Sequence, residues 1–309
     1  LQHHFNGLAP ELLNTIPRNE NEVLAYSLAN VMWLYRPVVI MDEAHNARTP
    51  LSFDMLSRLN PSCIVEFTAT PETKHKPESG KYASNVLHHV SAAELKVEEM
   101  VKLPIRLRTK PEWKEVIGEA VRAQQFLEKT AKAEELQTGE YIRPIVLLQA
   151  QPRREGIDTL NYDVVKKCLI SDYRIPEDHI KIATGDKKEI DDIDLFARTC
   201  PVRFIITVQA LKEGWDCSFA YILCSVADIH SKRAVEQILG RILRMPYVKK
   251  KRHEDLNCAY AFVASQGFIE AATSLKDALL ENGFERLEAE KFISPPEPLQ
   301  LPSLGPLPG

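Results

Sequence analysis

The pattern of apolar and polar positions divides the chain into short buried strands and amphipathic helices that alternate. After a helical pattern at 20–35, Val38–Met41 is an apolar run that is too short for a helix and rich in β-branched residues. Such a run is typical of a strand buried on both faces of a parallel sheet. A helix-like stretch at 51–59 and a second strand-like run at 63–67 follow. Strand, helix and strand in this order predict an α/β fold.

A second block repeats the alternation after a long amphipathic helix that is predicted at 111–137 and ends at Gly139. Its predicted strands are short and apolar, at 144–148, 180–183, 204–208, 221–226 and 259–263. Its predicted helices lie at 159–170, 189–197, 232–243 and 268–280. We place the domain boundary near Pro104. Residues 1–104 are then the first domain, 105–285 the second, and 286–309 a proline-rich tail or linker that neither pairs in a sheet nor sustains a helix.

Composition narrows the possible functions. A net charge of −4 and a pI near 6.2 argue against a protein that binds nucleic acid through bulk positive charge, so any such contact must be local. No apolar run approaches the roughly 18 residues that cross a bilayer, and we expect a cytoplasmic protein without a membrane partner. The 6 cysteines form no C-x-x-C pair, which favours reduced core residues over a zinc site.

The first candidate site follows the strand at 38–41, where the sequence reads Asp42-Glu43-Ala44-His45. Two carboxylates at the carboxyl edge of a parallel strand can hold a metal ion and polarise water, although a solvated strand end has the same appearance. Thr68 and Thr70 follow the neighbouring predicted strand. Their hydroxyls can bond the acidic site or cap the next turn.

The second candidate site combines two segments of the second block. Gly214 and Asp216 follow the predicted strand at 204–208, and the glycine either permits close approach to a ligand or belongs to an ordinary turn. Gln237, Arg241 and Arg244 share one face of a predicted helix by three- and four-residue spacing. That face can meet a triphosphate, or it can be a solvated surface.

The four motifs DEAH, TAT, EGWD and QILGRILR resemble, in this order, motifs II, III, V and VI of superfamily 2 helicases. The run ALKEGWDCSFAYILCS with EQILGRILR is most similar to the ATPase (Res) subunit of type III restriction enzymes. The resemblance covers about 38–263. It implies a RecA-like P-loop NTPase fold, with a partial first RecA-like domain and a complete second one that hydrolyse ATP with Mg²⁺ between them.

The resemblance also implies roles for the residues of the first domain. Asp42 would be the Mg²⁺ ligand and Glu43 the base that activates water. His45, Thr68 and Thr70 would couple the ATP site to the nucleic-acid track.

In the second domain, the same resemblance implies that Gly214, Asp216 and Gln237 line the nucleotide cleft. Arg241 and Arg244 would be the arginine fingers. The expected partner is DNA, double-stranded rather than single-stranded, and a methyltransferase or specificity subunit is implied only by the type III branch.

The sequence departs from the helicase pattern in one respect. Such motors grip phosphates with a G-x-x-x-x-G-K-[ST] loop before the DEAH strand, and Gly7 is the only glycine upstream of that strand. Ser79-Gly80-Lys81 lacks the second glycine and follows the TAT strand instead of preceding the DEAH strand. We therefore expect an N-terminally truncated chain that is inactive alone. No P-D…[DE]-x-K nuclease motif is present either, so DNA cleavage is not expected.

Three functions remain open. The leading hypothesis is a segment of an ATP-dependent DNA helicase or translocase of a restriction or repair system. The alternative is a non-catalytic remnant that acts as a nucleic-acid-binding or protein-interaction module. A metal hydrolase that uses Asp42, Glu43 and His45 is disfavoured, because no second histidine cluster completes a ligand set.

Overall fold

A computed structural model of the protein describes residues 1–19, 21, 23–68, 71–72, 83–90, 92–154, 156–185, 187–208, 215–227, 232–264, 270 and 293–294. The chain divides into two compact units, Leu1–His89 and Val90–Gly309. The division lies upstream of Pro104, where the sequence placed the domain boundary. Residues just before Pro104 pack within the second unit, since the Lys102 amide donates to the Leu243 carbonyl at 2.6 Å. The functional identity of the domains stays a prediction.

In its described residues the first unit contains a two-stranded parallel sheet and three α-helices. Its strands are β1 (Val38–Met41) and β2 (Cys63–Glu66), and its helices are α1 (Pro10–Leu13), α2 (Leu28–Tyr35) and α3 (Pro50–Ser57). Ser27 caps α2 and Thr49 caps α3, each by accepting an amide proton from the first turn. The helix predicted at 20–35 therefore begins later than expected.

The prediction that β1 is buried on both faces was wrong. Val38 and Ile40 are exposed, and the unit's own core is a small cluster around Phe5, Ile16 and Val31. Within the described residues β1 pairs only with β2, so a single neighbouring strand contributes to its burial.

The second unit is built on a seven-stranded sheet in the order β5-β6-β4-β7-β8-β3-β9. The strands are β3 (Ile105–Thr109), β4 (Ile145–Gln149), β5 (Ile180–Ile182), β6 (Phe204–Thr207), β7 (Ala220–Ser225), β8 (Ala259–Val263) and β9 (Ile293–Ser294). Every pairing is parallel. All residues of β4, β6, β7 and β8 are buried, as expected for the centre of a parallel sheet covered on both faces.

Four described helices belong to this unit: α4 (Ala92–Val97), α5 (Trp113–Thr138), α6 (Tyr162–Ser171) and α7 (Lys232–Leu243). The long helix predicted at 111–137 is confirmed. It ends at Gly139, whose φ of 75° is in the left-handed region that glycine adopts without strain. Asn161 caps α6 by accepting from the amides of Asp163 and Val164.

Some predicted elements differ in the structure. Residues 189–197 form turns and not a helix. Carboxylates bond nearby backbone amides there, since Glu189 accepts from Ile182 at 2.8 Å and Asp194 accepts from Phe196 at 2.9 Å, and such bonds compete with helix formation. Strand β3 was not predicted. Ile293–Ser294, in the predicted tail, pairs with β3. Apart from Glu270, the helix predicted at 268–280 lies outside the described residues.

The α/β class with parallel sheets is confirmed. All six cysteines are free, and Cys63 alone among them is exposed. Within the described parts of the chain, none of the helices has the length and apolar character needed to cross a bilayer.

Candidate nucleotide site

The acidic pair of the first unit lies directly after β1, which ends at Met41. Asp42 and Glu43 are both exposed, and the Glu43 amide donates to Asp42 Oδ1 at 3.0 Å. Glu43 has a φ of 50°, a left-handed conformation that is uncommon for a residue with a side chain. The turn buries Ala44 completely while leaving both carboxylates facing solvent. This geometry agrees with a strand end that presents acids to a ligand.

The DEAH segment and the TAT segment are joined by backbone hydrogen bonds. The Phe67 amide donates to the Met41 carbonyl at 2.8 Å, and the Ala44 amide donates to the Phe67 carbonyl at 3.1 Å. Thr68 is therefore adjacent to the turn that carries the acids. Thr70 and the side chain of His45 lie outside the described residues. The structure thus brings together the two motifs, although it describes only part of the predicted coupling set.

A partly buried ion pair, which the sequence analysis missed, links the same two segments. The guanidinium of Arg48, three residues after His45, pairs with the carboxylate of Glu66 at the end of β2. Arg48 also donates to Ser84 Oγ at 2.5 Å. An isolated arginine and glutamate carry no motif, so no signal in the sequence pointed to this contact.

In the second unit, α7 presents the face that its spacing predicts. Ile238, Leu239 and Ile242 are buried, whereas Gln237 and Arg244 are exposed. Gly240 and Arg241 also lie on the side of the helix away from the core. The helix is therefore anchored by its apolar side and leaves its polar side open to other groups.

Arg241 of α7 and Arg244, the residue directly after the helix, both contact the end of the EGWD segment. Arg241 donates to the backbone carbonyl of Trp215, and Arg244 forms an ion pair with Asp216. The side chains of Asp216 and Arg244 are 50% and 61% exposed, so the pair is accessible to a ligand. Gly214 lies outside the described residues. The predicted residues Asp216, Arg241 and Arg244 are thus brought together.

Polar residues also align where the central strands of this unit end. In the sheet register, Gln149 of β4 lies opposite Thr207 of β6 and Ser225 of β7. The Ser225 hydroxyl donates to Gln149 Oε1 at 3.1 Å. From β4 the chain continues to β5, towards one edge of the sheet, and from the adjacent β7 it continues to β8, towards the other edge. This reversal defines a topological switch point between β4 and β7. This row was not predicted, although polar residues at the ends of apolar strands could have indicated it.

The donor set fits Mg²⁺ only in a mode that uses few protein ligands. No three His, Cys, Asp or Glu side chains in the described part of the chain form a metal-binding group. Mg²⁺ on a nucleotide is commonly held by one or two carboxylates together with phosphates and water. The exposed carboxylate of Asp42 suits that role.

The fold and these contacts define a parallel α/β protein in which four motif segments meet as two pairs. No family model matches the chain, and no curated protein matches it. Similar solved structures exist at low identity. One is a fragment of an HsdR subunit of a type I restriction enzyme from Vibrio vulnificus, with 17% identity, a TM-score of 0.42 and coverage of 75% of this chain and 43% of that chain.

Two further structures are similar. Dbp5 from S. cerevisiae, bound to RNA and ADP BeF3, has 12% identity and a TM-score of 0.44, over 79% of this chain and 57% of that one. The Type ISP restriction-modification enzyme LlaBIII, bound to DNA, has 11% identity and a TM-score of 0.38, over 76% and 19%. The chain thus spans less than two thirds of each of these three structures. Because these identities and TM-scores are low, the proposed residue roles rest on contacts within the chain.

Proposed function

We propose that this chain is a segment of an ATP-dependent nucleic-acid motor, a helicase or translocase that acts on DNA in a restriction or repair system. The observation that carries the proposal is that four motifs, far apart in sequence, meet as two pairs. DEAH lies beside the residue that directly precedes TAT, because the Ala44 amide donates to the Phe67 carbonyl. EGWD lies beside QILGRILR through the ion pair of Asp216 and Arg244.

The first unit would supply the groups that act on water. A bound Mg²⁺ would neutralise charge on the β- and γ-phosphates, and Asp42 would hold it. Glu43, next to it on the exposed turn, would orient the attacking water and accept its proton. His45, Thr68 and Thr70 would relay the state of this site to the nucleic-acid track, because the TAT segment is bonded to the acidic turn.

The second unit would supply positive charge for the phosphoryl group. Arg241 and Arg244 are the arginine-finger residues of the proposal, and such arginines contribute about 10³ to 10⁵ in rate. Gly214, Asp216 and Gln237 would line the nucleotide cleft. Asp216 would also hold Arg244 in place before the nucleotide binds, since the two side chains already form an ion pair.

The proposed partner is DNA, double-stranded rather than single-stranded. The basic pairs Lys166-Lys167 and Lys249-Lys250 offer little free charge for it, because Lys166 pairs with Glu177 and Lys249 with Glu140. Backbone and hydroxyl groups at strand ends are the better candidates for phosphate contacts. If the chain belongs to the type III restriction branch, a methyltransferase subunit would be a second partner.

A second candidate function is a non-catalytic module that binds nucleic acid or protein. The sequence favours it in one respect, because it contains no G-x-x-x-x-G-K-[ST] loop to grip the phosphates. From the sequence alone the missing loop predicts an inactive chain; because the motif segments meet as two pairs, we expect slow ATP turnover instead.

The deciding experiment is ATP turnover by the chain at millimolar ATP with Mg²⁺, with and without double-stranded DNA, together with DNA binding measured on the same samples. Glu43→Gln removes the proposed base, and Glu11→Gln is the matched control in the same unit, because Glu11 is also exposed. We expect slow, DNA-stimulated turnover that is lost in Glu43→Gln and retained in Glu11→Gln.

Other outcomes separate the two candidates. DNA binding without turnover in any sample would favour the non-catalytic module. Turnover that is equal in the chain and in Glu43→Gln would overturn the proposed role of the acidic pair.

A further inference from the structure

The second unit buries a lysine that no motif includes. Lys102 is 0% exposed, and its ammonium donates to the backbone carbonyls of Ser218 at 3.0 Å and Ala220 at 2.5 Å. The same Nζ lies 3.8 Å from the centroid of the Tyr221 ring, at the distance of a cation–π contact. The side chain of Lys102 is thus fixed against the segment that follows Asp216.

The backbone around Lys102 is fixed against the end of α7. Its amide donates to the Leu243 carbonyl at 2.6 Å, and the Met245 amide donates to the Met100 carbonyl at 2.9 Å. Between these two bonds, Val101 and Arg244 form an antiparallel bridge. Arg244, a candidate arginine finger, is therefore paired directly with Val101, the neighbour of Lys102.

These two sets of contacts meet at one residue. The side chain of Lys102 holds the backbone two and four residues after Asp216, and its main chain holds the backbone beside Arg244. Asp216 and Arg244 are themselves paired at the surface. Lys102 thus connects the two segments in the protein interior, whereas the ion pair connects them at the surface.

The burial of this ammonium is costly. Burial lowers the pKa of Lys102 well below its ordinary value, and the nearby Cys217 and Asp216 act in the opposite direction. A methionine of similar length would fill the same space without the cost of removing a charge from water. What methionine cannot do is donate to two carbonyls, so the ammonium contributes placement of the backbone and not burial of apolar surface.

We infer that Lys102 is a positioning residue that sets the relative placement of the Asp216 segment and the α7 arginines. The inference rests on the proposed function of those arginines. Without its ammonium, the carbonyls of Ser218 and Ala220 lose their donor. The segment that carries Asp216 and the end of α7 would then move independently.

The test compares Lys102→Met and Lys102→Gln in the full chain with Lys114→Met. Lys114 is the matched control, because it is a lysine of the same unit whose ammonium is largely exposed and pairs with Asp172. The first measurement is amide hydrogen exchange at Ala220 and Met245, which bond Cys217 and Met100. Reference amides in the same unit are Val146 and Ala150, which bond Arg203 and Thr207.

In Lys102→Met we expect exchange at Ala220 and Met245 to rise about tenfold or more relative to the reference amides. Lys102→Gln, which keeps one donor group, should give a smaller rise, and Lys114→Met none. Unchanged ratios, or equal acceleration at every amide of the unit, would overturn the inference, because a general loss of stability affects all of them alike.

The second measurement is ATP turnover on the same samples. Arginine fingers stabilise the transition state. If Lys102→Met misplaces them, kcat should fall while KM for ATP stays nearly unchanged. A change confined to KM would contradict the positioning role. If the unmodified chain shows no turnover while the exchange pattern is as expected, the proposed function fails and the placement of the two segments by Lys102 stands.

Discussion

The carboxylate of Asp216 forms an ion pair with the guanidinium of Arg244, although 28 residues separate them in sequence. Both side chains are at least half exposed. Exposed pairs of this kind contribute roughly 0.2–1 kcal/mol to stability, because water screens them and both side chains lose freedom. The pair therefore contributes little to the stability of the fold, and its interest is that it lies at the end of α7 near Arg241.

We predict that Arg244→Ala changes the free energy of unfolding by less than about 1 kcal/mol but lowers ATP turnover by about 10³ or more. Urea unfolding and turnover on the same preparation would measure both. Lys114→Ala removes a comparably exposed ion pair with Asp172 and should change neither quantity much. Equal losses of turnover in the two variants would exclude a specific role for Arg244.

Sequence periodicity located most of the second unit's parallel sheet, because its central strands are apolar along nearly their whole length. It failed at β3, where Arg106 and Arg108 interrupt the apolar pattern while their charges are neutralised by Asp255 and Glu119. Pairing with distant carboxylates is a tertiary property, and no local pattern encodes it. The turns at 189–197 were missed for a related reason, because carboxylates there bond backbone amides.

The candidate site was predicted residue by residue but not contact by contact. Helical spacing placed Arg241 and Arg244 on one helical face; in the structure both contact the EGWD segment, but Arg244 lies directly after α7 and bridges Val101. That Arg244 pairs with Asp216 depends on how α7 packs on the sheet, which spacing alone does not give. Lys102 carried no sequence signal, because a buried lysine is recognisable only once its surroundings are known.

The ion pair of Glu128 and Arg203 should affect how the stability of the fold changes at acidic pH. Two guanidinium nitrogens of Arg203 each lie 3.1 Å from the carboxylate of Glu128, and both side chains are largely buried. Burial alone would raise the pKa of Glu128, but hydrogen bonds from Arg203, Gln124 and Lys132 lower it from 4.5 to about 2. The carboxylate is therefore charged in the folded state well below its ordinary range.

A carboxyl group with a lowered folded pKa stabilises the fold above its unfolded pKa. That contribution is lost as the pH falls from 4.5 through about 2. We predict that stability, measured by urea unfolding at a series of pH values, declines across this window less steeply in Glu128→Gln. The same change at exposed Glu177 should have a much smaller effect. An unchanged slope in Glu128→Gln would contradict the lowered pKa.

Replacement by phenylalanine should have opposite effects on stability at two buried tyrosines. Within the described residues, the Tyr221 hydroxyl has no hydrogen-bond partner. The Tyr260 hydroxyl donates to the Asp255 carbonyl at 3.1 Å. We predict that Tyr221→Phe is neutral or stabilises the protein by up to about 1 kcal/mol, whereas Tyr260→Phe destabilises it by about 1 kcal/mol. Thermal and urea unfolding would measure both. Equal destabilisation would show that Tyr221 has a bonding partner after all.

Two helical glycines also differ in what a methyl group would meet. A Cβ on Gly118 of α5 would lie 2.8 Å from the Tyr173 hydroxyl, which is fixed by donating to the Lys114 carbonyl at 2.7 Å. A Cβ on Gly240 of α7 would meet nothing within 4 Å. Alanine is favoured over glycine inside a helix by about 1 kcal/mol, so Gly240→Ala should stabilise the protein by up to that amount.

Gly118→Ala should instead destabilise the protein by about 1–3 kcal/mol, because the overlap with Tyr173 exceeds the gain in helix propensity. Tyr173→Phe removes the hydroxyl oxygen that the new methyl group would meet most closely. The double variant Gly118→Ala with Tyr173→Phe should therefore be more stable than the sum of the two single changes predicts, and urea unfolding of all four proteins would measure this coupling. Additive effects would mean that the α5 backbone, and not the tyrosine ring, accommodates the methyl group.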